Sequence, residues 1–513
     1  MPLPPEALVV KVQPTVDKTA YPGLESRLAQ LYQAYQAADQ EALATFAGQR
    51  HIDLAAGTVR VILEMEVDPQ AQALGGPTVE TVTLPDGRTA QVQHAPRVAI
   101  RPDLEAAIAA AGATYETAYK DWVQVLAPIA SLEALTRIPG VRYVRLPLPA
   151  QQHGGPPPGQ PAPQAGPDVG TQTTQGVNLT NAASWHAAGY DGTGVNLAVF
   201  DFGFTGWAAR QSGGDLPSGG QLVLHDFSSD YNFSPDTSGY EHGTACAEVA
   251  YDMGPGATVH LYAWGTEAEF GNAVSDYINN VSGKKVATMS IGYVNAGPYD
   301  GTGPIHTIVD GAQAAGIFWA NSAGNSQKEH WSGVATQYGT GDSVAFGSGN
   351  LNGFGPAPGW VWNIQAGTQL LIFLEWNDWN AGRTGNQNHI DYDLVLYYYS
   401  GGWTAVAAST ENQCTSSVEP VEAIAYTVPS GRAGYYAIAI WRDQGGGACP
   451  NNFGHWLELH TFNGFYLSGQ GSVNAFWYIN GCNSLTIPAD GDSAVAVGAT
   501  FWNEDEAAPL YGL

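Results

Sequence analysis

From Tyr21 to Phe46 apolar residues recur three or four positions apart, and Leu24, Leu28, Leu31 and Tyr35 share one face; this spacing predicts an amphipathic helix. The period then falls to two. Val59, Val61, Leu63, Met65 and Val67 alternate with polar residues, as one face of a strand does. The run VETVTLPDGRTAQVQ predicts a hairpin turning at Pro85-Asp86-Gly87. An Ala-rich helix follows Asp103 and stops at Gly112, and TYETAYKDWVQVLAPI supplies two more strand-like runs. A short helix, LEALTRI, ends at Pro139-Gly140, and VRYVRLP closes the region as a strand.

The order strand, helix, strand, strand, helix, strand predicts a small ferredoxin-like α+β domain over residues 1–150, decorated by the hairpin. Residues 151–175 are rich in Pro, Gly and Gln, bury too little apolar area to order themselves, and read as an exposed, cleavable linker. Beyond them the texture changes. GVNLAVFD, QLVLHDF, ATVHLYAW, KVATMSIG and GIFWANSAGN are short apolar strand candidates, several separated by helical stretches. That alternation predicts a doubly wound parallel sheet covered on both faces, residues 176–329. Residues 330–480 are rich in Trp, Tyr and Val between Gly/Asn/Asp turns, which predicts an all-β sandwich or jelly roll. The α/β texture returns over 481–513, so the β domain reads as an insertion.

Composition narrows the function classes. The chain is 44% hydrophobic, yet 47 acidic residues face 19 basic ones for a net charge of −28. Such a surface repels nucleic acid and anionic lipid. The longest apolar runs, Leu370–Trp376 and Tyr435–Trp441, are of strand length and predict no membrane span. The start, MPLPPEALVV, lacks a basic and an apolar signal region, leaving a cytoplasmic protein or a missing N-terminus as alternatives. Cys414 and Cys449 share one β-rich region, Cys246 sits on an expected helix, and Cys482 is unassigned; spacing alone leaves the pairing open. No metal-spaced His/Cys cluster is visible along the chain.

The candidate chemistry lies at strand ends and helix starts. Asp201 ends an apolar strand, where ligands and catalytic groups gather in open α/β sheets. His242, in YEHGTACAEVA, heads a small-residue helix and has the pKa range of a general base. Asn325, in NSAGN, offers an amide to an oxyanion. Ser290, Ile291 and Gly292 end a strand whose backbone is suited to pairing with an extended peptide. Each has a plainer role: Asp201 capping a turn, His242 packed, Asn325 in a turn, Ser290–Gly292 as a plain strand end. His186, His225, His260, His306, His330, His389 and His455 are read as packed or capping histidines.

Taken in order, Asp-x-Gly after a strand, His-Gly-Thr, Ser-x-Gly and Ala-Gly-Asn resemble the subtilisin-like serine peptidases. The resemblance covers roughly Gly176–Asn325 and Leu485–Leu513. It implies a subtilisin-like parallel sheet, a propeptide role for residues 1–150, and a secreted serine endopeptidase working through an acyl-enzyme. It also implies Asp201 and His242 as catalytic partners, Asn325 as the side-chain oxyanion donor, and Ser290, Ile291 and Gly292 as the substrate-binding strand. Phe202 departs from the small polar residue usual after the aspartate.

The family's nucleophile lies in Gly-Thr-Ser-x-Ala, and residues 1–513 contain no Gly-Thr-Ser. The expectation is that the serine lies beyond residue 513 and that this polypeptide alone is inactive, since losing that serine costs subtilisin about 2 × 10⁶ in kcat. Ser322 neighbours the oxyanion element but has no matching motif. The alternative is a dead pseudoprotease that binds peptides or glycans. The expected partners are a polypeptide substrate and the chain's own propeptide-like domain. No cofactor is required. In the insertion, Asp391 and Asp393 with Glu375 or Asp378 form a candidate Ca²⁺ site, against the plainer expectation of solvated carboxylates. The aromatics there are expected to fill the sandwich core.

Overall fold

In a computed structural model the described residues are 2–11, 13, 20–84, 86–153, 173–234, 238–379, 389–414, 418–443, 449–450, 452–462, 476–481 and 483–498. Most of the expected linker, residues 154–172, and the stretch from 499 to 513 lie outside them, as does Cys482. The architecture is mixed α/β with several sheets.

The alternating run near the N-terminus becomes the strand Thr58–Met65, at the centre of a five-stranded antiparallel sheet. It pairs with Trp122–Pro128 and Val141–Arg145, and Thr114–Tyr119 pairs with Trp122–Pro128. The helices Ser26–Gln36, Pro102–Ala110 and Leu132–Leu135 bury Leu28, Leu31, Leu104, Ile108 and Leu135 against Val59, Val61 and Leu63.

The hairpin does not decorate this sheet. Its strands Thr78–Thr83 and Thr89–His94 extend the central sheet instead, with Leu224 opposite Val92 and Asp226 opposite His94 in parallel register. The physical reason is twofold. Val92 and Leu84 are buried with Leu224 and Leu261 in one apolar cluster, and the hairpin satisfies main-chain groups of Leu222–Asp226 that would otherwise form an open edge.

The central sheet has eight strands. From one edge they run Val495–Val497, Phe318–Ser322, Lys284–Met289, Val195–Asp201, Thr258–Ala263, Leu222–Asp226, Thr89–His94 and Thr78–Thr83. All neighbours are parallel except the hairpin pair. Alternate side chains of Val195–Asp201 enter different cores. Ala198 and Phe200 meet Phe270 and Tyr277 of the helix Glu267–Asn280 and Ile308 of the helix Pro304–Ala314. Val199 meets Leu224, Leu261 and Ala247 of the helix Glu241–Met253. A strand buried on both faces must read as a continuous apolar run, and this one does. Asp201 ends it between strands that finish at Ala263 and Met289, where the strand order reverses.

Between His330 and Asn480 two four-stranded antiparallel sheets face each other. One holds His330–Val334, Trp456–Phe462, Gln369–Trp376 and Val421–Thr427; the other holds Asn352–Gly353, Tyr435–Asp443, Asp391–Tyr399 and Trp403–Ser409. Ile372, Leu374, Leu457 and Leu459 of the first meet Tyr392, Leu394, Ile438 and Ile440 of the second in a shared core with Trp376, Tyr426 and Tyr436. Cys414 and Cys449 form a disulfide with Cα atoms 5.5 Å apart. No helix among the described residues is long and apolar enough to cross a membrane.

Candidate functional site

Asp201 is fully buried, so its two oxygens must find partners inside the protein. Oδ1 accepts from the Phe202 N–H and from Gln152 Nε2, both at 2.8 Å. Oδ2 is left for His242, whose Nδ1 lies 2.7 Å away. His242 sits in the first turn of Glu241–Met253, and the glycine after it lets that turn approach. A Cβ on Gly243 would stand 2.3 Å from the Gly203 carbonyl oxygen and 2.7 Å from Asp201 Cβ. Gly203 is equally tight, since a Cβ there would meet the Tyr231 ring at 2.7 Å. The glycines of Asp-x-Gly and His-Gly-Thr are therefore the close-approach surfaces that put carboxylate and imidazole in contact.

Burial opposes a charge on His242, but the hydrogen bond and charge of Asp201, with a contact to Cys246, outweigh it and lift the pKa to about 11. Cys246 Sγ is 3.9 Å from both ring nitrogens. The second nitrogen, Nε2, donates to the carbonyl oxygen of His153 at 3.1 Å.

That carbonyl belongs to a segment the residue patterns placed in the linker. Ala150–Gln152 forms a strand antiparallel to Ile291–Tyr293, with Gln152 opposite Ile291, Gln151 opposite Gly292 and Ala150 opposite Tyr293. His153 continues the pairing. Its N–H donates to the Ser290 carbonyl at 2.7 Å, and its own carbonyl also accepts from Ser290 Oγ at 2.9 Å. The imidazole of His153 fills a pocket beside this strand. Its Nδ1 lies 2.6 Å from Ser322 Oγ and its Nε2 3.3 Å from Thr486 Oγ1. Two glycines leave the room. A Cβ on Gly292 would fall 2.0 Å from Thr486 Oγ1 and 2.4 Å from His153 Cε1, and one on Gly324, at φ +97°, would touch both residues. Burial, with the charge of His242 adding to it, pulls the His153 pKa down to about 4, so its ring is neutral where it sits.

The structure thus brings Asp201, His242, Ser290, Ile291 and Gly292 around one stretch of extended chain. Asn325 lies at the exposed end of the loop after Phe318–Ser322, while Ser322 and Gly324 of that loop line the pocket. Asn321 is the buried asparagine there; its amide donates to the carbonyls of Ile291 and Ser322, tying the loop to the paired strand. Sequence reasoning missed Gln152, His153 and Thr486. The signal available was a lone histidine in QQHGG, at the last position before a Gly/Pro-rich run.

The donor atoms of Asp201, His242 and Cys246 lie within 4.8 Å of one another, as do those of Asp391, Asp393 and Glu422. Asp391 and Asp393 are not solvated, being 0% and 2% exposed, and the carboxylate beside them is Glu422. Asp378 instead binds His389 Nδ1 and the Ile390 N–H, and Glu375 faces Glu458 across a strand pair.

No family model matches this chain, and no curated protein matches it. Among solved structures, the Clostridium perfringens CspB protease aligns at TM-score 0.38 and 10% identity, over 63% of this chain and 74% of that one. Pseudomonas aeruginosa AlgX aligns at TM-score 0.16 and 8% identity, over 53% and 48% of the two chains. The infectious bursal disease virus VP2 subviral particle gives TM-score 0.15 and 14% identity over 29% and 33%. At these scores the likenesses carry no argument about this chain.

Proposed function

We propose that this chain belongs to a secreted, subtilisin-like serine endopeptidase held in a self-inhibited state by its own N-terminal region. One observation carries the reading. An extended segment ending at His153 is paired to Ser290–Tyr293 and presents its carbonyl to His242 Nε2, while His242 Nδ1 contacts Asp201. That is the pose of a peptide whose bond after His153 lies at the base. Residues 1–150 then act as a propeptide, and Asp201 orients the imidazole and stabilises the imidazolium formed when it accepts a proton. Ser290, Ile291 and Gly292 bind the substrate main chain. Asn325, at the exposed end of the neighbouring loop, is the proposed side-chain donor to the oxyanion. A Gly-Thr-Ser serine is the proposed nucleophile. His242 takes its proton, the serine Oγ bonds to the peptide carbonyl carbon, the amine leaves with that proton, and water then releases the acyl group. The Cys414–Cys449 disulfide supports an oxidising, extracellular setting.

The test is fluorophosphonate labelling of the polypeptide made from the complete reading frame. Labelling that depends on His242 and on a Gly-Thr-Ser serine is expected; a reading frame without that serine, or no labelling after removal of the N-terminal region, sinks the peptidase. The second reading is a peptide-binding pseudoprotease. It is favoured for residues 1–513 alone, which hold the groove and the Asp–His pair but no Gly-Thr-Ser.

A further inference from the structure

Far along the chain from the Asp201–His242 pair, the inserted sandwich carries a second set of chemistry-bearing side chains. His330 and His460 are direct cross-strand partners, and Glu458, two residues from His460, is the cross-strand partner of Glu375. These four therefore project from one face of the sheet, since residues two apart on a strand share a face. It is the face turned away from the sandwich core, which takes Leu457, Leu459 and Leu374. The same face packs on the central unit: Phe373, opposite His460, is buried against Val294, and the Tyr299 ring stacks on His460 at 5.3 Å. All four polar residues are buried, His330 and His460 fully.

Their hydrogen bonding is that of ligands more than of a closed network. His330 Nδ1 donates to the Asn480 carbonyl at 2.6 Å, and its Nε2 hydrogen-bonds Glu458 Oε2, also at 2.6 Å. A backbone carbonyl on one ring nitrogen, fixing the other for coordination, is the usual arrangement of a metal-binding histidine. Trp456 Nε1 holds the second Glu458 oxygen at 2.5 Å. Neither nitrogen of His460 has a hydrogen-bond partner, and neither does Glu375 Oε2. Two buried carboxylates face each other directly, an arrangement that is destabilising unless a proton or cation intervenes. The ligand atoms of His330, Glu458 and His460 all lie within 4.8 Å of one another.

We infer that His330, Glu458 and His460, with the negative charge of Glu375 opposite Glu458, form a structural site for a divalent transition metal, zinc first. Two imidazoles with carboxylates suit Zn²⁺, whereas Ca²⁺ requires an all-oxygen shell of six to eight ligands. Three protein ligands sealed from solvent between two packed units describe a structural site more than a solvent-open catalytic one. The ion ties His330–Val334 to Trp456–Phe462 at the surface that meets Tyr299 and Val294.

The experiment uses the chain of residues 1–513, stripped with a chelator and titrated with Zn²⁺ by calorimetry, and with Co²⁺ by visible absorption. Expected are one tightly bound Zn²⁺ per chain, a rise in Tm on adding Zn²⁺, and the d–d bands of four-coordinate Co²⁺. His460→Asn and Glu458→Gln are each expected to weaken the tight site by at least roughly 100-fold. His242→Gln is the control, because Asp201, His242 and Cys246 also lie close together. Tight binding that vanishes in His242→Gln but persists in His460→Asn overturns the proposal, as does a wild-type chain that binds neither ion. Should the sandwich variants fail to fold, the wild-type Co²⁺ spectrum decides alone, since thiolate-to-cobalt charge transfer would assign the ion to the Cys246 cluster.

Discussion

The central sheet and the inserted sandwich both gather buried imidazoles and carboxylates, but by different geometry. In the central sheet the polar groups stand at strand ends and helix starts, so each is followed by glycine and announced by its neighbours: Asp201 by Gly203, His242 by Gly243. In the sandwich they stand on one strand face, and His330 meets His460 across 129 intervening residues. The first arrangement meets the paired segment ending at His153; the second is sealed between two structural units. The lesson is that the same donor types are brought together by helix-to-strand approach in one unit and by cross-strand register in the other.

The most severe way to break the contrast is at Asp201. For the proposed peptidase, Asp201→Asn is expected to slow acylation by about 10⁴-fold, the size of the corresponding change in a serine-protease triad. The His242 titration midpoint, followed by NMR at Cε1, should fall, because the hydrogen bond and charge of Asp201 are leading causes of its rise. An unchanged midpoint would detach the two residues functionally.

Acid supplies the next largest effect. His153 is held near pKa 4 when docked and has an ordinary value of about 6.5 when free, so the docked form binds fewer protons. Docking is therefore undiminished above about pH 6.5 and weakens about tenfold per pH unit down to pH 4, roughly 300-fold in all. His242, raised to about 11, keeps its charge across this window and does not offset the trend. Hydrogen exchange at the His153 and Val294 amides, which donate to the Ser290 and Pro149 carbonyls, should accelerate as pH falls, and His153→Gln should flatten that dependence. Exchange that is pH-independent beyond its intrinsic chemistry would count against the pocket.

A smaller change sharpens the picture of the pocket. Gly292→Ala places a methyl where Thr486 and the His153 ring lie, and is expected to weaken docking of Ala150–His153 by about 10- to 100-fold, read by the same exchange measurement. In the sandwich the mildest test is Glu375→Gln. Removing one of two facing carboxylates should stabilise the metal-free chain by about 0.2–1 kcal/mol in urea unfolding while reducing the gain from Zn²⁺.

Much of the scaffold was legible because burial leaves a local trace. The apolar runs Val195–Asp201 and Thr258–Ala263 read as strands covered on both faces, and the change of texture near His330 marked where antiparallel pairing begins. Asp201, His242 and the Ser290–Gly292 strand were legible through their glycines and order. The hairpin's true neighbour was not, because Val92 alternates equally well against either sheet, and only the unpaired edge of Leu222–Asp226 decides. His153 escaped notice because composition described its surroundings as linker, whereas its own main chain pairs with Ser290. The His330–Glu458–His460 cluster escaped because cross-strand register is invisible in a one-dimensional spacing rule.

The hairpin also governs what severing the chain after His153 would accomplish. Thr89–His94 is stitched to Leu222–Asp226, and Ala95 donates to the Asp226 carbonyl at 2.8 Å. A single backbone scission would thus leave the two fragments clasped as a noncovalent heterodimer, with the groove still occupied. Liberation would demand a second event, peeling or proteolysis of Thr78–His94, and would bare a raw β-edge able to recruit another strand in its place.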